Sequence, residues 1–188
     1  MAGRVVRDVD EIVDRFRQAL AQPSQSLAAR DVLDELVRQP SALEATLGSV
    51  VEGGIQTLHR APDLTVLQIA WTPGISLFPH EHRMWAVVGM YGGQEDNVFY
   101  RRSGDGLQQV NGRELRAGEV LVMGEDAIHA VSNTRREYAV AIHVYGGDFF
   151  DTPRSEWDPE TFAERPRDVG GIHRVFDAAN AAFRAPSD

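Results

Sequence analysis

The chain has 188 residues, a formal charge of −9 and no cysteine. That length can bury a full core without disulfides or a structural metal, and the missing thiols exclude a disulfide framework, thiolate metal sites, a cysteine nucleophile and any cysteine–tyrosine crosslink. The negative balance and the scattered arginines argue against binding a phosphate backbone, which needs a basic face. Met1 to Asp8 contain no apolar signal core, and no run approaches the roughly 18 apolar residues of a membrane span. The expectation is a cytoplasmic protein of small-molecule chemistry, with no membrane or nucleic-acid partner and its oligomeric state open.

From Val5 to about Leu47, apolar residues recur at helical spacing, as in Val9, Ile12, Val13, Phe16 and Leu20, then Leu27, Val32, Leu33, Leu36 and Val37. Two or three amphipathic helices are expected here, packed on the outside of the remaining chain. Pro40-Ser41 restarts a shorter helix, with Ser41 placed to cap it. After Gly53-Gly54 the texture changes to short β-rich runs at 64–71, 84–91, 97–102, 106–110, 113–115, 119–123, 127–131 and 138–145. Strands this short and evenly spaced predict a sandwich or barrel. Asn111-Gly112 predicts a hairpin turn, because both residues tolerate positive φ. From Asp151 the chain turns irregular and charged, and a last helical stretch follows Gly170-Gly171 over 172–183. The pattern gives an N-terminal helical segment, 1–50, a barrel, 51–150, and a C-terminal extension, 151–188, within one structural domain.

Three histidines carry the chemical signal. Side chains on a strand alternate faces, so in His80-Glu81-His82 the two imidazoles point one way and Glu81 points out. A third ligand must come from a strand distant in sequence, and His129, flanked by apolar residues, is the best candidate. Together they predict a mononuclear metal site inside the barrel. His59 and His173 lie outside this pattern and read as surface residues. Trp71 and Trp85 read as core, with Trp85 also placed to wall a pocket. Glu95 and Asp96 read as turn residues, and either carboxylate lies near enough in sequence to be a fourth ligand.

The stretch Gly74-Ile75-Ser76-Leu77-Phe78-Pro79-His80-Glu81-His82 resembles the first cupin motif. Gly118 to Asn133 resembles the second, which ends in a histidine followed by an asparagine, here His129 and Asn133. This resemblance implies a mainly β fold, the cupin double-stranded β-helix or jelly-roll barrel. The first motif usually carries a glutamate soon after its second histidine, where this chain has Ala86 and Val87. A three-histidine site without that glutamate is similar to the thiol dioxygenases, the cysteine and 3-mercaptopropionate dioxygenase family. Ala141-Ile142-His143-Val144-Tyr145 resembles the family's Ser-x-His-x-Tyr segment, with Ala141 in the serine's place. Residues 83–97 and 143–148 resemble a bacterial branch described only as cysteine-dioxygenase-like.

The resemblance implies Fe(II) on His80, His82 and His129, with Ni, Zn or Mn as other metals the site can take. It implies catalytic roles for Tyr145 and His143, and a substrate carboxylate held by Arg154 or Arg60. The implied reaction oxidises a small thiol to its sulfinate with dioxygen. Plainer alternatives stand beside these: His143 as an ordinary core histidine, and Arg154 paired with Glu156 or Asp151 on the surface. A cupin dioxygenase acting on a non-thiol substrate, and a non-catalytic ligand-binding cupin, are the other functional readings.

Overall fold

The helical layer begins where the sequence offers a cap. In the computed structural model, which describes residues 8–104 and 106–185 and only the backbone of Val169, helix α1 spans Val9–Leu20 and the Asp8 carboxylate accepts the Glu11 N–H at 2.8 Å. One otherwise orphaned donor is thereby satisfied. Helices α2, Gln25–Val37, and α3, Pro40–Leu47, follow. Ser41 does not cap α3: Pro40 takes the first helical position, which suits its fixed φ, so the cap falls on Gln39 and no side chain bonds there. The apolar stripes bury Ile12, Val13 and Phe16 of α1 and Leu33, Leu36 and Val37 of α2. Leu27 stays 46% exposed, and Val5 lies outside the described residues.

Among the described residues, eleven strands and a final helix follow: β1 Gly54–Arg60, β2 Thr65–Trp71, β3 Ser76–Glu81, β4 Ala86–Gly92, β5 Gln94–Ser103, β6 Gly106–Arg116, β7 Val120–Met123, β8 Ile128–Ser132, β9 Ala139–Tyr145, β10 Ser155–Trp157, β11 Glu164–Pro166 and α4 Val169–Arg184. They form two antiparallel sheets, β1-β2-β9-β4-β7 and β11-β10-β3-β8-β5-β6. Strands β2 to β9 thus interleave as β2-β9-β4-β7 against β3-β8-β5-β6, the strand order of a double-sheet jelly roll. The fold is a double-stranded β-helix.

The expected hairpin at Asn111-Gly112 is absent. β6 runs straight through both residues, which pair with Phe99 and Val98 of β5, and the reversal falls instead between the paired Ser103 and Gly106. A β5 long enough to offer a partner at every step, with a bulge at Phe99/Tyr100 to absorb the mismatch, outweighs the local turn preference. The charged segment after Asp151 also holds more order than its composition suggests, because β10 and β11 add to the open edge of β3.

Strict alternation divides β2, β4 and β9 between two cores. Leu67, Ile69, Trp71, Ala86, Val88, Met90, Ala139, Ala141 and Tyr145 face the barrel interior. Val66, Ala70, Val87, Tyr91, Val140, Ile142 and Val144 face the helices. These three strands are therefore buried on both faces, which explains their nearly unbroken apolar runs. Gly89 permits the contact: a Cβ there would lie 2.5 Å from Leu33 Cγ. At the other end of the chain, α4 lays Ile172 and Phe176 into the barrel core. Phe176 stacks on Trp71 at 5.3 Å, and buried Asn180 accepts the Gly53 N–H and donates to its carbonyl. Among the described residues, no helix is long and apolar enough to cross a membrane.

Because Leu33 is fully buried between α2 and β4, Leu33→Ala should cost about 2–5 kcal/mol in urea unfolding. A loss below about 1 kcal/mol would mean that the helical layer contributes little to the barrel's stability.

Candidate metal centre

The register of β3 on β8 places His80 directly opposite His129. His82 stands one residue past the end of β3, on the same face as His80 by strand parity. The chain then reverses through Arg83, whose φ of 58° lies in the left-handed region. One nitrogen from each of the three buried rings lies within 4.8 Å of the others, and the Nε2 atoms of His82 and His129 are 3.5 Å apart.

Outer contacts aim two of these rings, while His82 Nδ1 is buried without a partner. His80 donates from Nδ1 to the Phe78 carbonyl at 3.1 Å, and His129 donates from Nδ1 to Asn97 Oδ1 at 2.8 Å. Each bond fixes the proton on Nδ1 and leaves an Nε2 lone pair facing the centre. Burial, reinforced by neighbouring histidines and by Arg167 and Arg154, holds His80 and His82 well below the usual imidazole range. Burial and Arg167 bring His129 down to about 4. Three neutral, converging nitrogens with unmet lone pairs are a donor set that suits a divalent cation at about 2.0–2.1 Å from each.

The other residues singled out by sequence fall in different places. Glu81 does point away from the histidines, but it is buried rather than solvent-facing, accepting from Arg83 Nε at 2.6 Å, Arg102 Nη2 at 3.0 Å and the Ser155 N–H at 3.1 Å. The β10 edge covers it. Glu95 is a buried strand residue, not a turn; it accepts from Trp71 Nε1 at 2.8 Å and Asn97 Nδ2 at 3.0 Å, so it reaches His129 only through Asn97. Burial raises its pKa above the ordinary carboxylate value. Asp96 turns away to Gln94 and Thr134.

His143 and Tyr145 do meet on the inward face of β9, with the Tyr145 hydroxyl 3.2 Å from His143 Nδ1. The Tyr145 ring lies 5.1 Å from that of His82. Burial lowers His143 to about 3, and burial raises the Tyr145 phenol. Arg154 is 8% exposed and forms no surface ion pair among the described residues; its guanidinium sits 4.3 Å over the Phe149 ring and donates to the Thr152 carbonyl. Arg60, by contrast, is half-exposed and paired with Asp148 and Asp151. Trp85 packs on the helical side of the sheet. Trp71, not Trp85, walls the chamber, edge-on to His143 at 6.3 Å.

The chamber is lined by the three histidines, His143, Tyr145, Trp71, Phe149 and Arg167, among others, and measures about 10 Å³, room for roughly one water. Arg167 escaped the sequence reading. It sits beyond the irregular segment and carries no motif, and only the fold brings it to the histidines.

No family model matches the chain. Among solved structures it is similar to an RmlC-like cupin family protein with a double-stranded β-helix fold from Methanocaldococcus jannaschii, at 8% identity and a TM-score of 0.46, over 54% of this chain and 86% of that one. A cupin 2 conserved barrel domain protein from Leptotrichia buccalis is 22% identical, with a TM-score of 0.43 over 53% of this chain and 44% of that one. Oxalate decarboxylase from Bacillus subtilis is 15% identical, with a TM-score of 0.43 over 53% of this chain and 27% of that one. The fold assignment itself rests on this chain's own strand order.

Histidines held neutral in the fold bind fewer protons than they do unfolded, so the metal-free protein should be most stable above pH 6.5 and lose stability as the pH falls toward 4. Urea midpoints between pH 7.5 and 4.5 test this, and a flat profile would contradict it. Asn97→Ala frees the His129 ring and should weaken metal binding by about 10–100-fold in a chelator competition. Unchanged affinity would show that the Asn97 contact is incidental.

Proposed function

We propose that the protein is an iron(II)-dependent thiol dioxygenase that converts a small carboxylate-bearing thiol, cysteine-like or 3-mercaptopropionate-like, to its sulfinate. The observation that carries this reading is a donor set without a carboxylate, His80, His82 and His129, sharing one chamber with Tyr145 and His143. Neutral ligands leave a divalent ion's charge uncompensated, which favours an anionic ligand such as a thiolate. The likeness of 141–145 to the thiol dioxygenases' Ser-x-His-x-Tyr segment points the same way, beside that of 74–82 and 118–133 to the two cupin motifs.

When bound, iron(II) would supply the redox chemistry that lets dioxygen react with sulfur. The remaining work falls to the chain. His80, His82 and His129 would hold the ion on one side and leave the other open. Arg154 would receive the substrate carboxylate, since its planar guanidinium is buried, stacked on Phe149 and has Nε without a partner. With His143 protonated on Nδ1, the Tyr145 hydroxyl accepts that proton's hydrogen bond and keeps its own for the bound ligand. Ala141 contributes no hydroxyl, so the relay ends at His143, whose Nε2 is buried without a partner. A chamber this tight excludes bulk water. Thiolate and dioxygen together account for every atom of the sulfinate, and no separate reductant is needed.

Oxygen uptake by the iron-loaded protein with cysteine, 3-mercaptopropionate and cysteamine, paired with mass-spectrometric detection of the sulfinate, tests the reading. Uptake matched by sulfinate for a carboxylate-bearing thiol is expected. No uptake with any thiol would remove it in favour of another cupin metal chemistry or of ligand binding alone.

A further inference from the structure

A second arginine, partly buried, lines the histidine chamber beside the Phe149 ring on which Arg154 stacks. Arg167 lies between β11 and α4, and its N–H donates to the Arg154 carbonyl at 2.9 Å. It lines the chamber with the three histidines, and it is the one lining residue that is not fully buried. Its Nε and Nη1, like Nε of Arg154, are buried with no hydrogen-bond partner. The two guanidinium carbons lie 4.3 and 5.7 Å from the centroid of a single ring, Phe149, which is itself 6.2 Å from the His82 ring.

Nearby carboxylates are committed elsewhere. Glu156 accepts from Arg165 and the Asp168 N–H, Asp148 from Arg60, and Glu81 from Arg83 and Arg102. Among the described residues neither Arg154 nor Arg167 has an ion-pair partner. Two neighbouring cations whose buried donors are unmet are costly unless an anion from outside completes them. One carboxylate can face one guanidinium fork bidentately, and the second fork is then left over.

We propose that Arg167 is a second ligand-anchoring residue and that the ligand is a short dicarboxylic acid, one carboxylate on Arg154 and the other on Arg167. This rests on the proposed function only for the sulfur: in that reading the diacid carries the thiol that faces the histidines. The chamber as it stands holds roughly one water, so the lining must give way to admit the diacid. Arg167, reaching solvent, is where an anion first meets the site.

Titration calorimetry on the iron-loaded protein under nitrogen, with 2-mercaptosuccinate against 3-mercaptopropionate and with succinate against propionate, tests this. Each diacid should bind at least about tenfold more tightly than its monoacid partner. Arg167→Gln should abolish that preference while leaving the monoacid affinities within about threefold, because a single carboxylate engages Arg154 alone. Equal affinities for mono- and diacids in the unaltered protein would overturn the proposal without recourse to any variant, as would an Arg167→Gln loss that falls equally on both. If succinate outbinds propionate through Arg167 but no thiol is oxidised, the anchoring stands and the thiol reading falls. If 3-mercaptopropionate is oxidised with no preference for the diacid, the reverse holds.

Discussion

The pairing of β3 with β8 is the constraint on which the site depends. It sets His80 opposite His129 inside the barrel, and a slip of one residue would turn each imidazole to the other face of its strand. The interior they enter is apolar, with Leu77, Val131, Ile69 and Phe149 around them. Such surroundings penalise charge, and so keep all three rings neutral with their lone pairs available. Packing here does chemical work. The same burial that stabilises the barrel makes the imidazoles competent ligands near neutral pH.

A second layer refines this arrangement. Glu95, Asn97 and His129 form a hydrogen-bonded line whose far end is fixed by the Trp71 indole, and Trp71 is in turn pinned by Phe176 of α4. The C-terminal helix is thus coupled through the barrel core to the orientation of a histidine. Glu81, placed between two of the histidines, faces the opposite layer and ties β10 to β3 through Arg83, Arg102 and the Ser155 N–H. That tie helps to hold the segment from which Arg154 and Arg167 extend.

How much of this the sequence exposed depends on the range of the forces involved. Short β-rich runs between turn residues made most of the barrel strands legible, and the His-x-His spacing with a distant third histidine made the three-histidine group legible. Both signals are local or nearly so. β1 was missed because it is a half-exposed edge strand without a continuous apolar run, and β10 and β11 because strands of 3 residues exist only by pairing with an edge already formed. Asn111-Gly112 misled because a preferred turn yields to a full ladder of partners. Arg154 became interpretable only once its burial was seen. Arg167 had no sequence signal beyond being an arginine, since its meaning lies in which ring and which empty donors it shares with Arg154.

The central claim is that three uncharged nitrogens from two strands grip one ion, and metal content per chain tests it most directly. Elemental analysis of the purified protein reconstituted anaerobically with ferrous ion should give about one iron per chain, and His129→Ala, folded by circular dichroism, should retain little of it. An unaltered protein that takes up no divalent metal, or a His129→Ala variant that holds iron as firmly as its parent, would contradict the account.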